Sequence, residues 1–274
     1  MSSTANSLRF ETGGSTNPTL PLFIFLPGMD GSGALLRYQL PGLMFSFDVR
    51  WLSIPPDDST GWDGLIVQIA NLIGMERKHS PSRSIYLCGE SFGGCLALKL
   101  AAHFPGLFDR LIVVNPASSA SRQPWMSWVA SLTQRLPNLL YNLSTLGLLP
   151  LLVAPDRVPI ARQQELLAAM QSVSLPTAAW RLSMLSQFLL EELPLERITQ
   201  PVLMLASGAD RLLPSVEEAS RLEKLLPSSQ TVLLPQSGHA CLLESELKLI
   251  GILKSHQFCP DAKELESSPP GLLR

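Results

Sequence analysis

Little of this 274-residue chain is charged: Asp, Glu, Lys and Arg together make 16%, and the formal net charge is −2. A nucleic-acid partner needs a concentration of positive charge, so that class is excluded, as is attraction to an anionic bilayer through a polybasic run. Cysteine is scarce as well. The four present, Cys88, Cys95, Cys241 and Cys259, have neither metal-ligand spacing nor a paired framework, and they read as reduced thiols. Met1–Pro18 lacks the apolar core of a secretory signal. Long hydrophobic runs are missing too. The greasiest stretch, Leu136–Pro155, is interrupted by Pro137, Asn138, Asn142 and Pro150. It falls short of the roughly 18 uninterrupted apolar residues that a membrane span requires.

What the chain does have is a hydrophobic fraction of 46%, which rules out global disorder. Its length fits one large domain or one domain with an insertion. Short apolar runs alternate with helical stretches, the pattern of a mostly parallel α/β sheet. About six strands are expected, at Leu22–Leu26, Phe47–Ile54, Ser84–Cys88, Leu111–Val114, Pro201–Ala206 and Gln230–Leu234. Helices are expected at Trp62–Met75, Cys95–Phe104 and Cys241–Lys254. From Ala117 to about Arg197 the alternation stops, and the chain reads as helical with prolines for punctuation. The domain reading is a flexible N-terminus (1–20), an α/β core (21–116 and 198–257), a helical cap inserted after the fourth strand (117–197) and a flexible tail (258–274).

Chemistry enters at Gly89-Glu90-Ser91-Phe92-Gly93, a G-x-S-x-G segment with a strand before it and a helix after it. The sharp strand-to-helix turn strains the nucleophile, and flanking glycines avoid the clashes that side chains would make. It also sets Ser91 at a helix N-terminus, where free N–H groups favour developing negative charge.

A serine needs a base, and the base needs an orienting carboxylate. Of four histidines, His79, His103 and His256 fall in poor positions, whereas His239 follows the last strand in a Gln236-Ser237-Gly238 loop. Asp210, after the Pro201–Ala206 strand, completes the order Ser…Asp…His. Glu90 occupies the turn itself, and Glu196 and Glu244 lie away from strand ends, so they are weaker choices. The oxyanion donors are expected to be the backbone N–H groups of Phe92 and of Met29 in the glycine-rich loop Leu26–Gly33. No Gly-Lys-Ser/Thr follows that loop, which excludes a nucleotide cradle.

Together these segments resemble the α/β-hydrolase superfamily from Pro21 to about Lys254. LPGMDGSG, FDVRWLSIP, IYLCGESFGGCLALKLA and VVNPA are more narrowly similar to the hydrolase half of phytyl ester synthases and related esterase/lipase/thioesterase proteins of plants and cyanobacteria. That resemblance implies hydrolysis or transfer of phytyl, galactolipid or acylglycerol acyl groups. Many such relatives carry a second, acyltransferase-like half, and the resemblance here covers the hydrolase half.

In Ala117–Pro155 the charged residues are Arg122 and Arg135 alone, among Trp125, Met126, Trp128, Val129 and many leucines. An apolar cap of this kind can line an acyl-chain pocket, with Trp125 and Trp128 as candidate substrate contacts. The plain alternative is that these residues pack the cap against the core.

The sequence therefore predicts a serine ester hydrolase that needs no metal or organic cofactor. It would take a lipophilic acyl ester, in the cytoplasm or plastid stroma, with peripheral membrane contact open and oligomeric state unassigned. An acyltransferase to a lipophilic alcohol uses the same residues, and a non-catalytic ligand-binding module on the same fold is the remaining alternative.

Overall fold

The computed structural model describes residues 7–14, 16–125 and 138–260, with the side chains of 138–144 left aside. Seven strands form one sheet: β1 (Arg9–Thr12), β2 (Leu22–Leu26), β3 (Asp48–Ser53), β4 (Ile85–Glu90), β5 (Arg110–Val114), β6 (Val202–Ser207) and β7 (Ser229–Leu234). Their spatial order is β1-β3-β2-β4-β5-β6-β7. Every neighbouring pair is parallel except β1 with β3. This is the α/β-hydrolase fold.

Successive side chains of a strand face opposite ways, so β2 sends Leu22, Ile24 and Leu26 into one apolar layer and Phe23 and Phe25 into the other. The first layer is closed by α2 (Trp62–His79), α3 (Phe92–His103) and α7 (Ser215–Glu223). The second is closed by α1 (Leu40–Leu43) and α8 (Leu249–Ser255). Burial on both faces is why the central strands β2, β5 and β6 read as near-continuous apolar runs.

Between β5 and β6 the described residues hold no strand. They form a 3-10 turn at Ala117–Arg122 and the helices α4 (Asn138–Leu152), α5 (Ile160–Ser172) and α6 (Leu175–Ser186). No helix among the described residues is long and apolar enough to cross a membrane.

Three expectations need correction. The N-terminal stretch expected to be flexible contains β1, because the outer edge of β3 presents N–H and C=O groups that pair with Arg9–Thr12, while Phe10 packs on the core. The stretch expected to be a loose tail begins with Phe258, which is buried against the second layer and donates its N–H to Leu253 C=O at 2.7 Å. The last helix starts at Leu249 rather than Cys241. Residues Cys241–Leu243 are a separate 3-10 turn, with all three side chains buried.

Candidate active site

The carboxyl ends of β4, β6 and β7 lie on one side of the sheet, and the loops leaving them bring Ser91, Asp210 and His239 together. Ser91 stands between β4 and α3 at φ 53°, ψ −113°, a conformation that L-residues rarely hold. Backbone bonds fix it there. Its N–H donates to Val114 C=O at 3.0 Å, and its own C=O accepts from Gly94 at 2.9 Å and Ala117 at 3.0 Å. A Cβ on Gly89 would overlap the Gly93 carbonyl, and one on Gly93 would overlap the Leu26 carbonyl. Gly94, which sequence reasoning left aside, is equally constrained: a Cβ would sit 2.8 Å from Pro116 Cβ.

His239 is almost wholly buried. Its Nε2 lies 2.8 Å from Ser91 Oγ and its Nδ1 lies 2.7 Å from Asp210 Oδ2. An Nδ1–H donated to the carboxylate leaves Nε2 free to accept the serine proton. Asp210 Oδ1 accepts from the N–H groups of Leu212 at 2.9 Å and Leu213 at 3.0 Å, while the hydroxyl of Ser215 donates to Oδ2, the oxygen that faces His239.

Burial opposes ionisation of Asp210, yet the facing imidazole, Ser215 and the Leu213 N–H outweigh it and hold the carboxyl below its ordinary value. Burial likewise opposes a charge on His239. The Asp210 carboxylate, helped by Glu90, outweighs it and raises the ring above its ordinary value. Glu90 itself is pushed by burial up to about 7, with His239 pulling it down and Asp30 pushing it up.

The two segments expected to carry the oxyanion donors both come near the serine. Phe92 opens α3, so its N–H belongs to the first turn, whose donors the helix itself cannot satisfy. The Met29 loop comes close on the other side, since a Cβ on Gly28 would lie 3.9 Å from Ser91 Cβ. Trp125 lines a cavity of about 410 Å³ that Asp210 also lines, with Gln123, Arg211 and Ser215. Trp128 lies outside the described residues.

Three supporting side chains escaped sequence reasoning. Asn115, at the end of β5 with φ 42°, donates to Ser207 Oγ at 2.8 Å and His239 C=O at 2.7 Å, and accepts from Ser207 N–H at 2.9 Å. Its only sequence signal is an amide closing an apolar strand, just before Pro116. Glu244, set aside for lying away from a strand end, is buried and grips the histidine loop. It accepts from Ser237 Oγ at 2.9 Å, Gly238 N–H at 3.0 Å and Arg157 Nε at 2.6 Å. Arg181, on α6, reaches the Met29 loop, and no local pattern marks it.

Residues 58–246 match the family described as serine aminopeptidase, S33. The chain belongs to this α/β-hydrolase family. Phytyl ester synthases 1 and 2 of Arabidopsis thaliana, both named chloroplastic, are 33% and 31% identical to it over 85% and 87% of the chain. The chain spans a little over a third of those relatives, 36% and 38% of their lengths.

Two solved structures of family-like fold bear comparison. An esterase from Exiguobacterium antarcticum superposes with a TM-score of 0.71 at 18% identity, covering 91% of this chain and 94% of its own. A bacterial membrane phospholipase A superposes with a TM-score of 0.72 at 19% identity, covering 95% and 83%. At these identities the likeness is one of fold.

Proposed function

We propose that this S33-family chain is a serine hydrolase that cleaves lipophilic carboxylic esters through an acyl-Ser91 intermediate. The observation that carries the reading is the continuous hydrogen-bonded relay from Ser91 through His239 to Asp210 around a strained serine.

Ser91 Oγ attacks the ester carbonyl carbon while His239 Nε2 takes the hydroxyl proton, and Asp210 holds the ring and stabilises the imidazolium. The carbonyl oxygen, now negative, is held by the N–H groups of Met29 and Phe92. Collapse expels the alcohol, which takes the proton from His239. Water then attacks the acyl group by the same route and restores Ser91.

The near absence of charge in Ala117–Pro155 supports a lipophilic acyl chain, each buried CH₂ contributing about 0.8 kcal/mol. If a lipophilic alcohol replaces water in the second half, the product is an ester. That acyltransferase reading is favoured by the two plant relatives being phytyl ester synthases, whose chloroplastic designation also supports a plastid setting.

Purified protein and Ser91→Ala assayed on p-nitrophenyl esters of rising chain length, with phytol added in parallel, test both readings. Turnover that requires Ser91 and rises with chain length is expected, and phytyl ester product would favour transfer. No turnover, and no labelling of Ser91 by a fluorophosphonate, would overturn the enzyme assignment.

A further inference from the structure

Arg181 lies on α6, in the segment between β5 and β6, at only 2% exposure. Its Nη1 donates to Met29 C=O at 2.6 Å and its Nη2 to Pro55 C=O at 3.1 Å. Those carbonyls belong to the loops that leave β2 and β3, neighbouring strands of the sheet, so one guanidinium fork ties two strand-end loops together.

The loop is shaped around this fork. Gly31 adopts φ +70°, and a Cβ there would lie 2.8 Å from Arg181 Nη1. Its N–H closes a turn on Gly28 C=O at 3.0 Å, and its C=O accepts from Ile54 N–H at 2.8 Å. The carboxylate of Asp30, the residue between, attracts the guanidinium and is itself held by Ser32 N–H at 2.9 Å.

α6 does not hang free. Trp180 Nε1 donates to Thr60 C=O at 3.3 Å, Trp62 Nε1 to Met184 C=O at 3.1 Å, and Ser174 N–H to Pro56 C=O at 3.2 Å. The fork therefore works from a fixed base. With the turn at Gly28 on one side and the fixed Met29 carbonyl on the other, the Met29 N–H has little freedom to rotate.

We propose that Arg181 is a positioning residue for the oxyanion site: from α6 it holds the Met29 loop, through Met29 C=O and Pro55 C=O, with the Met29 N–H aimed at the oxygen developing over Ser91. Its kinetic consequence rests on the ester-hydrolase reading, whereas the restraint on the loop does not. An oxyanion donor acts mainly in the transition state, so losing its alignment lowers kcat and leaves KM nearly unchanged. Lysine offers a point charge in place of a planar fork and reaches one carbonyl at best.

The test compares wild type with Arg181→Met, Arg181→Lys and Arg181→Ala, the last with and without guanidinium ion. The readouts are kcat and KM on a p-nitrophenyl ester, and amide hydrogen exchange across residues 27–33. Arg181→Met is expected to lower kcat about 100-fold with KM within about threefold. Exchange at 27–33 should quicken about tenfold or more while that at 236–240 holds. Arg181→Lys should recover part of kcat, and guanidinium should restore Arg181→Ala without affecting wild type. An unchanged kcat with unchanged exchange, or a rise in KM alone, would overturn the proposal. If wild type cleaves no ester but Arg181→Met still loosens 27–33, the hydrolase reading fails and the loop restraint stands.

Discussion

The turn that carries Ser91 and the loop that carries His239 meet at 2.8 Å, yet they are held in different proportions by packing and by polar side chains. Close packing and main-chain bonds hold the serine turn: carbonyls pressed against Gly89 and Gly93, the Pro116 ring against Gly94, and backbone hydrogen bonds to Val114 and Ala117. Polar side chains clamp the histidine loop. Asn115 grips the His239 carbonyl, while Glu244 collects Ser237, Gly238 and Arg157. One arrangement is set chiefly by close contact with backbone, the other chiefly by polar side-chain partners. Steric constraint leaves no softer alternative, whereas a polar clamp can be weakened one bond at a time.

The sharpest way to break the first arrangement is Gly93→Ala. Its new methyl overlaps the Leu26 carbonyl, backbone that cannot give way without moving β2. We expect a loss of more than about 3 kcal/mol in urea unfolding and no labelling of Ser91.

Glu244→Ala tests the second. It leaves the Arg157 guanidinium, the Gly238 N–H and the Ser237 hydroxyl without their shared acceptor, at a cost of about 2–4 kcal/mol. Glu244→Gln should lose less and keep more activity, a graded response that the serine turn cannot give.

The smallest effect belongs to Glu90, which touches both regions electrostatically. Because its carboxyl is raised to about 7 from an ordinary 4.5, the folded state binds the proton more tightly than the unfolded one. Stability supplied by the protonated form is therefore lost as pH rises through about 7. Glu90→Gln should accordingly gain in Tm relative to wild type above pH 7 and not at pH 5. The same substitution removes a negative charge that raises His239. The acid limb of kcat/KM should then move to lower pH, by roughly a few tenths.

The division between the two arrangements is also the division in what the sequence disclosed. Six strands and the serine turn were legible because apolar runs and G-x-S-x-G are local patterns. His239 and Asp210 were legible because each follows a strand. β1 was missed because Arg9-Phe10-Glu11-Thr12 is too short and too polar to announce a strand, and it exists only because β3 has an edge to cover. Asn115, Glu244 and Arg181 were missed for a related reason. Their partners lie 87 to 152 positions away or depend on a loop's final shape, and no periodicity encodes that.

The backbone between α4 and α5 has a bearing on how such proteins can be recombined. Ala240 N–H donates to Leu152 C=O at 2.8 Å, and a Cβ on Gly238 would lie 2.6 Å from Ala154 N. Residues 152–154 are thus a wall of the histidine loop, although by topology they belong to the insertion. A chimera cut where the insertion leaves and rejoins the sheet would import a foreign wall, a foreign Arg157 and a foreign Arg181 at one stroke. Crossovers that keep 152–162 and 174–184 with the parent sheet would exchange the rest of the insertion and leave the wall of the histidine loop, Arg157 and Arg181 in place.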